Sequence, residues 1–69
     1  MSQNDLTRRE LLELQDALQR EILEIETYGN YIGQTEDPNL KQVLESIQKT
    51  HQDHYDQLVN LINPGNRGG

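Results

Sequence analysis

The 69-residue sequence contains no cysteine, no tryptophan and no phenylalanine. Without cysteine there is no disulfide to staple so short a chain, and the redox compartment is left open. Without the two largest apolar rings, the aromatic residues are Tyr28, Tyr31 and Tyr55. A core built this way is thin, and a chain of this size commonly relies on metals, disulfides or oligomerisation. With disulfides excluded, the other two routes gain weight. Basic residues are also scarce: six Lys and Arg stand against twelve Asp and Glu, for a net charge of −6. The six are scattered and form no basic face, which argues against a nucleic-acid partner. No stretch reaches the roughly 20 apolar residues of a membrane span, and no apolar run near the amino terminus resembles a signal peptide. The expectation is a chain with no membrane partner, made and kept inside the cell that produces it. Finally, there is no Ser/His/Asp or Cys/His arrangement for nucleophilic catalysis and no Gly-rich loop opening a helix for phosphate.

What remains is two long amphipathic stretches. After a flexible lead-in (residues 1–6), Thr7-Arg8-Arg9-Glu10 has the pattern of a capping box, with Leu6 placed to act as a hydrophobic staple. A first helix is expected over about 7–33. Its seam runs Leu11, Leu14, Leu18, Glu21, Ile25, Tyr28, Ile32, widened by Ala17, Ile22 and Tyr31. Glu13, Asp16, Arg20 and Thr27 fall on the opposite face. Gly29 and Gly33 near its end would each cost about 1 kcal/mol inside a helix, so fraying or a C-cap is the expectation there, with a close helix approach as the alternative. Residues 34–37 form the turn. Asp37 is a good N-cap and Pro38 suits the first helical position. A second helix should run over about 38–62 and stop at Asn63-Pro64-Gly65, leaving residues 63–69 as a disordered tail.

The second helix has an apolar line at alternating spacings of four and three: Leu40, Leu44, Ile47, His51, His54, Leu58, Leu61. Its two histidines are the only ones in the chain. Glu21 occupies the equivalent line of the first helix. In an antiparallel hairpin, Glu21 lies twelve residues before Gly33 and His51 thirteen after Pro38. Both distances are roughly 18–20 Å along the helix axes, so Glu21, His51 and His54 should meet at one level. A lone hairpin leaves half of each apolar stripe wet, and pairing of two hairpins into a four-helix bundle is the simplest remedy. The fold expected is therefore all-α, a two-helix hairpin that dimerises.

A carboxylate with two imidazoles suits zinc, iron or manganese. It equally suits a metal-free layer in which the histidines hydrogen-bond the glutamate and fix register. Glu24, one turn from Glu21, is a further candidate ligand, read by default as a solvated flank.

The chain resembles a known family. The run Leu6-Thr7-x-x-Glu10-Leu11-Leu12-x-Leu14-x-Asp16, then Glu21, Tyr28-x-x-Tyr31, Asp37-Pro38-x-Leu40-Lys41 and His51-Gln52-x-His54-Tyr55-x-x-Leu58 is similar to the small spore coat proteins of the coat-protein-F type. More widely it resembles ferritins and rubrerythrins, in which a Glu followed seven residues later by Tyr pairs with a Glu-x-x-His motif on the next helix. Glu21, Tyr28 and His54 match that pattern, and His51 stands where the motif glutamate would be. The resemblance implies a ferritin-like hairpin acting in spore coat assembly, made in the mother cell, associating with itself and with other coat proteins. The acidic outer faces and the Gly-rich tail would be open to such neighbours. It also implies, as the rival reading, a metalloprotein that binds or oxidises iron. Imidazole cannot bridge two metals as the motif glutamate does, so one ion, or two unbridged ions, fits these residues better than a bridged pair.

Overall fold

The computed structural model describes residues 6–63. The lead-in expected up to residue 6 and the tail expected from residue 63 lie, but for those two residues, outside the described part. The chain forms two helices, α1 over Arg8–Gln34 and α2 over Pro38–Ile62, packed against each other as a hairpin. There is no strand among the described residues.

Local chemistry sets each boundary. At the start of α1 the Thr7 hydroxyl accepts from the Glu10 amide at 3.0 Å, and the Glu10 carboxylate accepts from the Thr7 amide at 2.9 Å. This is the reciprocal capping box, which satisfies two amides that the helix itself cannot. At the start of α2, Asp37 Oδ1 accepts from the amides of Asn39 at 2.9 Å and Leu40 at 3.4 Å, and Pro38 fills the first helical position, where no amide is needed. The Thr35 hydroxyl accepts from the Asp37 amide at 3.3 Å and tightens the three-residue turn between them. Surface ion pairs contribute little: Arg9–Glu13 and Lys49–Asp53 are both highly exposed.

Two expectations need correction. α1 does not fray or cap at Gly29 or Gly33. It continues to Gln34 and is capped by Thr35. Gly29 is instead a point of close approach: a Cβ there would stand 3.2 Å from Gln48 Nε2. That amide group donates to the Ile25 carbonyl at 3.0 Å, reaching across the gap the missing side chain leaves. The local cost of glycine is offset in part by a bond between helices. Gly33, by contrast, faces open space.

The second correction concerns the seam of α2. Leu44, Ile47, His51 and Leu58 are partly buried as expected, but Gln48, Tyr55 and Ile62 join them, while Leu40, His54 and Leu61 stand exposed. A straight helix drifts by about 20° per heptad from an ideal 3.5-residue repeat, so one line of residues cannot keep facing one partner over seven turns. On α1, Leu11 at the start of the expected seam is exposed, Ile22 and Tyr31 sit on the flanks, exposed, and Thr27, expected on the outer face, is partly buried. Glu13, Asp16 and Arg20 point to solvent.

None of the described residues is buried. A hairpin is one layer of helices, 13 Å in its thinnest dimension, and a single layer has no interior.

The two glycines should respond differently to substitution. Gly33→Ala should raise stability by up to about 1 kcal/mol through helix propensity alone. Gly29→Ala should gain clearly less, because the new methyl crowds Gln48 and weakens its bond to Ile25. Urea unfolding of both variants checks this, and equal gains would show that the close approach at Gly29 has no energetic weight.

Candidate metal centre or polar layer

Glu21 is the central residue of α1, and His51 lies one residue past the centre of α2. The antiparallel hairpin brings them to one level. His51 Nδ1 stands 2.6 Å from Glu21 Oε1, and His54 Nδ1 stands 3.5 Å from Glu21 Oε2. A carboxylate offers only lone pairs, so the ring nitrogen is the donor in the shorter contact. Each oxygen of Glu21 thus has its own imidazole. His51 and His54 are one turn apart on the same flank of α2, which is why one carboxylate reaches both.

The three residues differ in exposure. The Glu21 and His51 side chains are 19% and 23% exposed, and that of His54 is 48% exposed. Glu21 and His51 lie between the helices, while His54 sits at the open edge. No buried side-chain nitrogen or oxygen among the described residues lacks a hydrogen-bond partner. The charge cost of placing Glu21 here is therefore met by the chain's own atoms.

A row of rings extends the layer toward the turn. Tyr28 stacks on His51 with centroids 5.9 Å apart and planes 21° apart, Tyr31 meets the edge of Tyr28 at 5.7 Å, and His51 and His54 stand edge to face at 5.9 Å. Side chains on a helix lean toward its amino terminus, so Tyr28 and His51, on helices running in opposite directions, lean toward each other. This lean also carries the His54 ring back to the level of Glu21. Sequence reasoning placed Tyr28 in the core or at its rim and did not place it on His51. The usable signal was its position two turns from Glu21 on the same side. Gln48 was missed altogether, although it lies at the level of Ile25 and opposite a glycine.

One ligand atom from each of Glu21, His51 and His54 can be chosen so that all lie within 4.8 Å of one another. Two imidazoles and a carboxylate form a donor set that divalent transition metals accept. Glu24 is exposed and lies outside this group. Chemically, the same atoms support two uses: a hydrogen-bonded layer that holds the helices in register, or a metal centre with three ligands from one chain.

Comparison of the chain with protein-family models, with curated proteins and with solved structures gives no match. The site must therefore be judged on its own geometry.

The 2.6 Å contact makes a specific spectroscopic prediction. The His51 ring N–H should give a slowly exchanging, downfield proton resonance in NMR spectra, and Glu21→Ala should abolish it while lowering stability by about 1 kcal/mol. A resonance that survives the substitution would mean that another group holds His51.

Proposed function

We propose that this chain is a small structural protein, a helical assembly unit of the coat-protein-F type that works by associating with itself and with other coat proteins, and is not an enzyme. One observation carries this reading. Every described residue retains solvent exposure, and eight large apolar side chains are exposed. Among them Leu12, Leu23, Tyr31, Val43 and Leu61 are half exposed or more. A hairpin with no interior gains its stability by packing on something else, and a four-helix bundle built from two copies supplies the missing layer. The similarity of its sequence motifs to spore coat proteins supports the place of action, the spore coat. No described helix is long and apolar enough to cross a membrane, which is compatible with that role.

The layer at Glu21 then has a structural use. Polar groups within an otherwise apolar seam favour one register and one pairing over others, because a shifted pairing leaves them without partners.

A second reading is favoured by the Glu21–His51–His54 geometry: the group binds one divalent ion, iron, manganese or zinc, as in ferritin-like proteins. Glu21, His51 and His54 would hold it, and the ion would supply Lewis acidity or, for iron, redox chemistry. The chain's part would be to fix the two imidazoles through α2 and the carboxylate through α1, and to shield one side of the site with the Tyr28 ring.

Light scattering on the purified protein should report about twice the 8.0 kDa chain mass. A well-folded monomer at micromolar concentration would overturn the assembly reading. For the second reading, elemental analysis after growth with iron, manganese and zinc should find stoichiometric metal, with Glu21→Ala or His51→Ala lowering affinity by at least about tenfold. Metal-free protein that also fails to take up zinc on titration would leave the hydrogen-bonded layer as the sole use of these residues.

A further inference from the structure

Resting on the self-association reading, we infer which surface a second copy covers: the flank of α2 bearing Leu40, Val43, Ile47, His54 and Leu61, together with Tyr31 of α1. The argument begins with charge. On α2 the ionisable residues other than histidine recur at Lys41, Glu45, Lys49, Asp53 and Asp56, spaced by three and four residues along one side of the helix. The flank of Leu40, Val43, Ile47, His54 and Leu61 carries none of them. Leu40, Val43 and Leu61 are nonetheless 48%, 55% and 50% exposed. Tyr31, equally exposed, lines an open groove with Gln34, Thr35, Leu40 and Leu44 at the turn end of the same side. This is an apolar stripe without carboxylates or amines, of which only Ile47 is partly buried within the described hairpin.

The other exposed aliphatic residues differ. Leu11 and Ile22 are less exposed, at 39% and 41%, while Leu12 and Leu23 lie on the back of α1, where the groove beside Leu23 is lined by Asp16, Gln19 and Arg20. Charged residues break that surface up, and it makes a poor partner for an apolar seam.

Spacing points to a copy of the same chain as the occupant. Leu40, Ile47, His54 and Leu61 recur every seven residues. This is a coiled-coil repeat on a flank distinct from the one that faces α1. Its ends are alike: an antiparallel two-fold about the middle of α2 sets Leu40 against the partner's Leu61 and Ile47 against the partner's His54, so the stripe is complementary to itself. The area is adequate. A hairpin face about 37 Å long and about 20 Å wide offers the ~800 Å² that one partner contributes to a standard interface. The Glu21 layer lies at mid-length in both helices, so the two copies' layers meet within about a turn of each other. His54, the exposed member of the trio, becomes the polar position that sets the register of the pair.

The test compares charges placed on the two sides. By sedimentation equilibrium, Val43→Glu and Leu61→Glu should each weaken the dimer by at least about 100-fold, while Leu12→Glu and Leu23→Glu leave it within a fewfold of the parent. Isotope-filtered NOEs in a mixed-label dimer of the unsubstituted chain give an answer even if a variant fails to fold. They should link the two copies through Val43, Ile47, His54 and Leu61. Contacts between copies through Leu12 and Leu23, or dissociation by the back-face charges alone, would overturn this surface while leaving self-association intact. A monomeric parent chain would overturn both.

Discussion

The structure depends on a carboxylate held between two imidazoles at the middle of a single layer of helices. A buried carboxylate is costly to leave alone, and Glu21 is sheltered enough for the cost to matter. The cost is met because both of its oxygens face ring nitrogens on the other helix. Neither the 2.6 Å hydrogen bond to His51 nor the 3.5 Å approach of His54 would survive in another register. Sliding α2 by one residue moves the imidazoles about 1.5 Å along the axis and turns them by about 100° around it. The same rotation would turn the apolar seam of α2 off α1, so the polar layer and the seam specify one register together.

A second polar tie lies one turn from the first. Gln48 reaches the Ile25 carbonyl over Gly29, and the pair 25/48 sits next to the pair 21/51. Two directional contacts at neighbouring levels fix both the rotation and the height of one helix against the other. Tyr28 stacks on His51 and extends the layer toward the turn. Division of labour follows from this. The polar contacts between the helices specify geometry, while exposed leucines along the outer flanks are left available for packing on another surface.

Much of this was legible in the sequence, and the reason is that the relevant chemistry is local or additive. Thr7 with Glu10, and Asp37 with Pro38, mark helix starts because capping needs only residues within one turn. The meeting of Glu21 with His51 and His54 could be found by counting, since a tight turn makes two helices run back at equal rise per residue. Gly29 was misjudged because propensity weighs a residue against its own helix, and the deciding partner, Gln48, is on the other one. The seam of α2 was misjudged for a related reason. A four-three pattern shows that a helix has apolar neighbours without saying how many. Here Leu44, His51, Tyr55 and Leu58 turn to α1, His54 reaches Glu21 from the exposed edge, and Leu40 and Leu61 stand exposed.

The two uses open to the trio make different demands on what lies beyond the hairpin. A hydrogen-bonded layer is complete within one chain, because each Glu21 oxygen already has a ring nitrogen and no buried polar side-chain atom among the described residues is orphaned. A metal centre is not. Three protein donors leave at least one position of a tetrahedral ion, and more of an octahedral one, to water or to groups from outside. His54 stands at the open edge, so any such position would face the side that the proposed second copy covers. Metal binding and association would then be linked: a partner that closes over His54 would exclude water from an ion and change its affinity, and an ion would in turn favour or oppose closure by the same factor. A purely structural layer imposes no such reciprocity, since its bonds are made before a partner arrives.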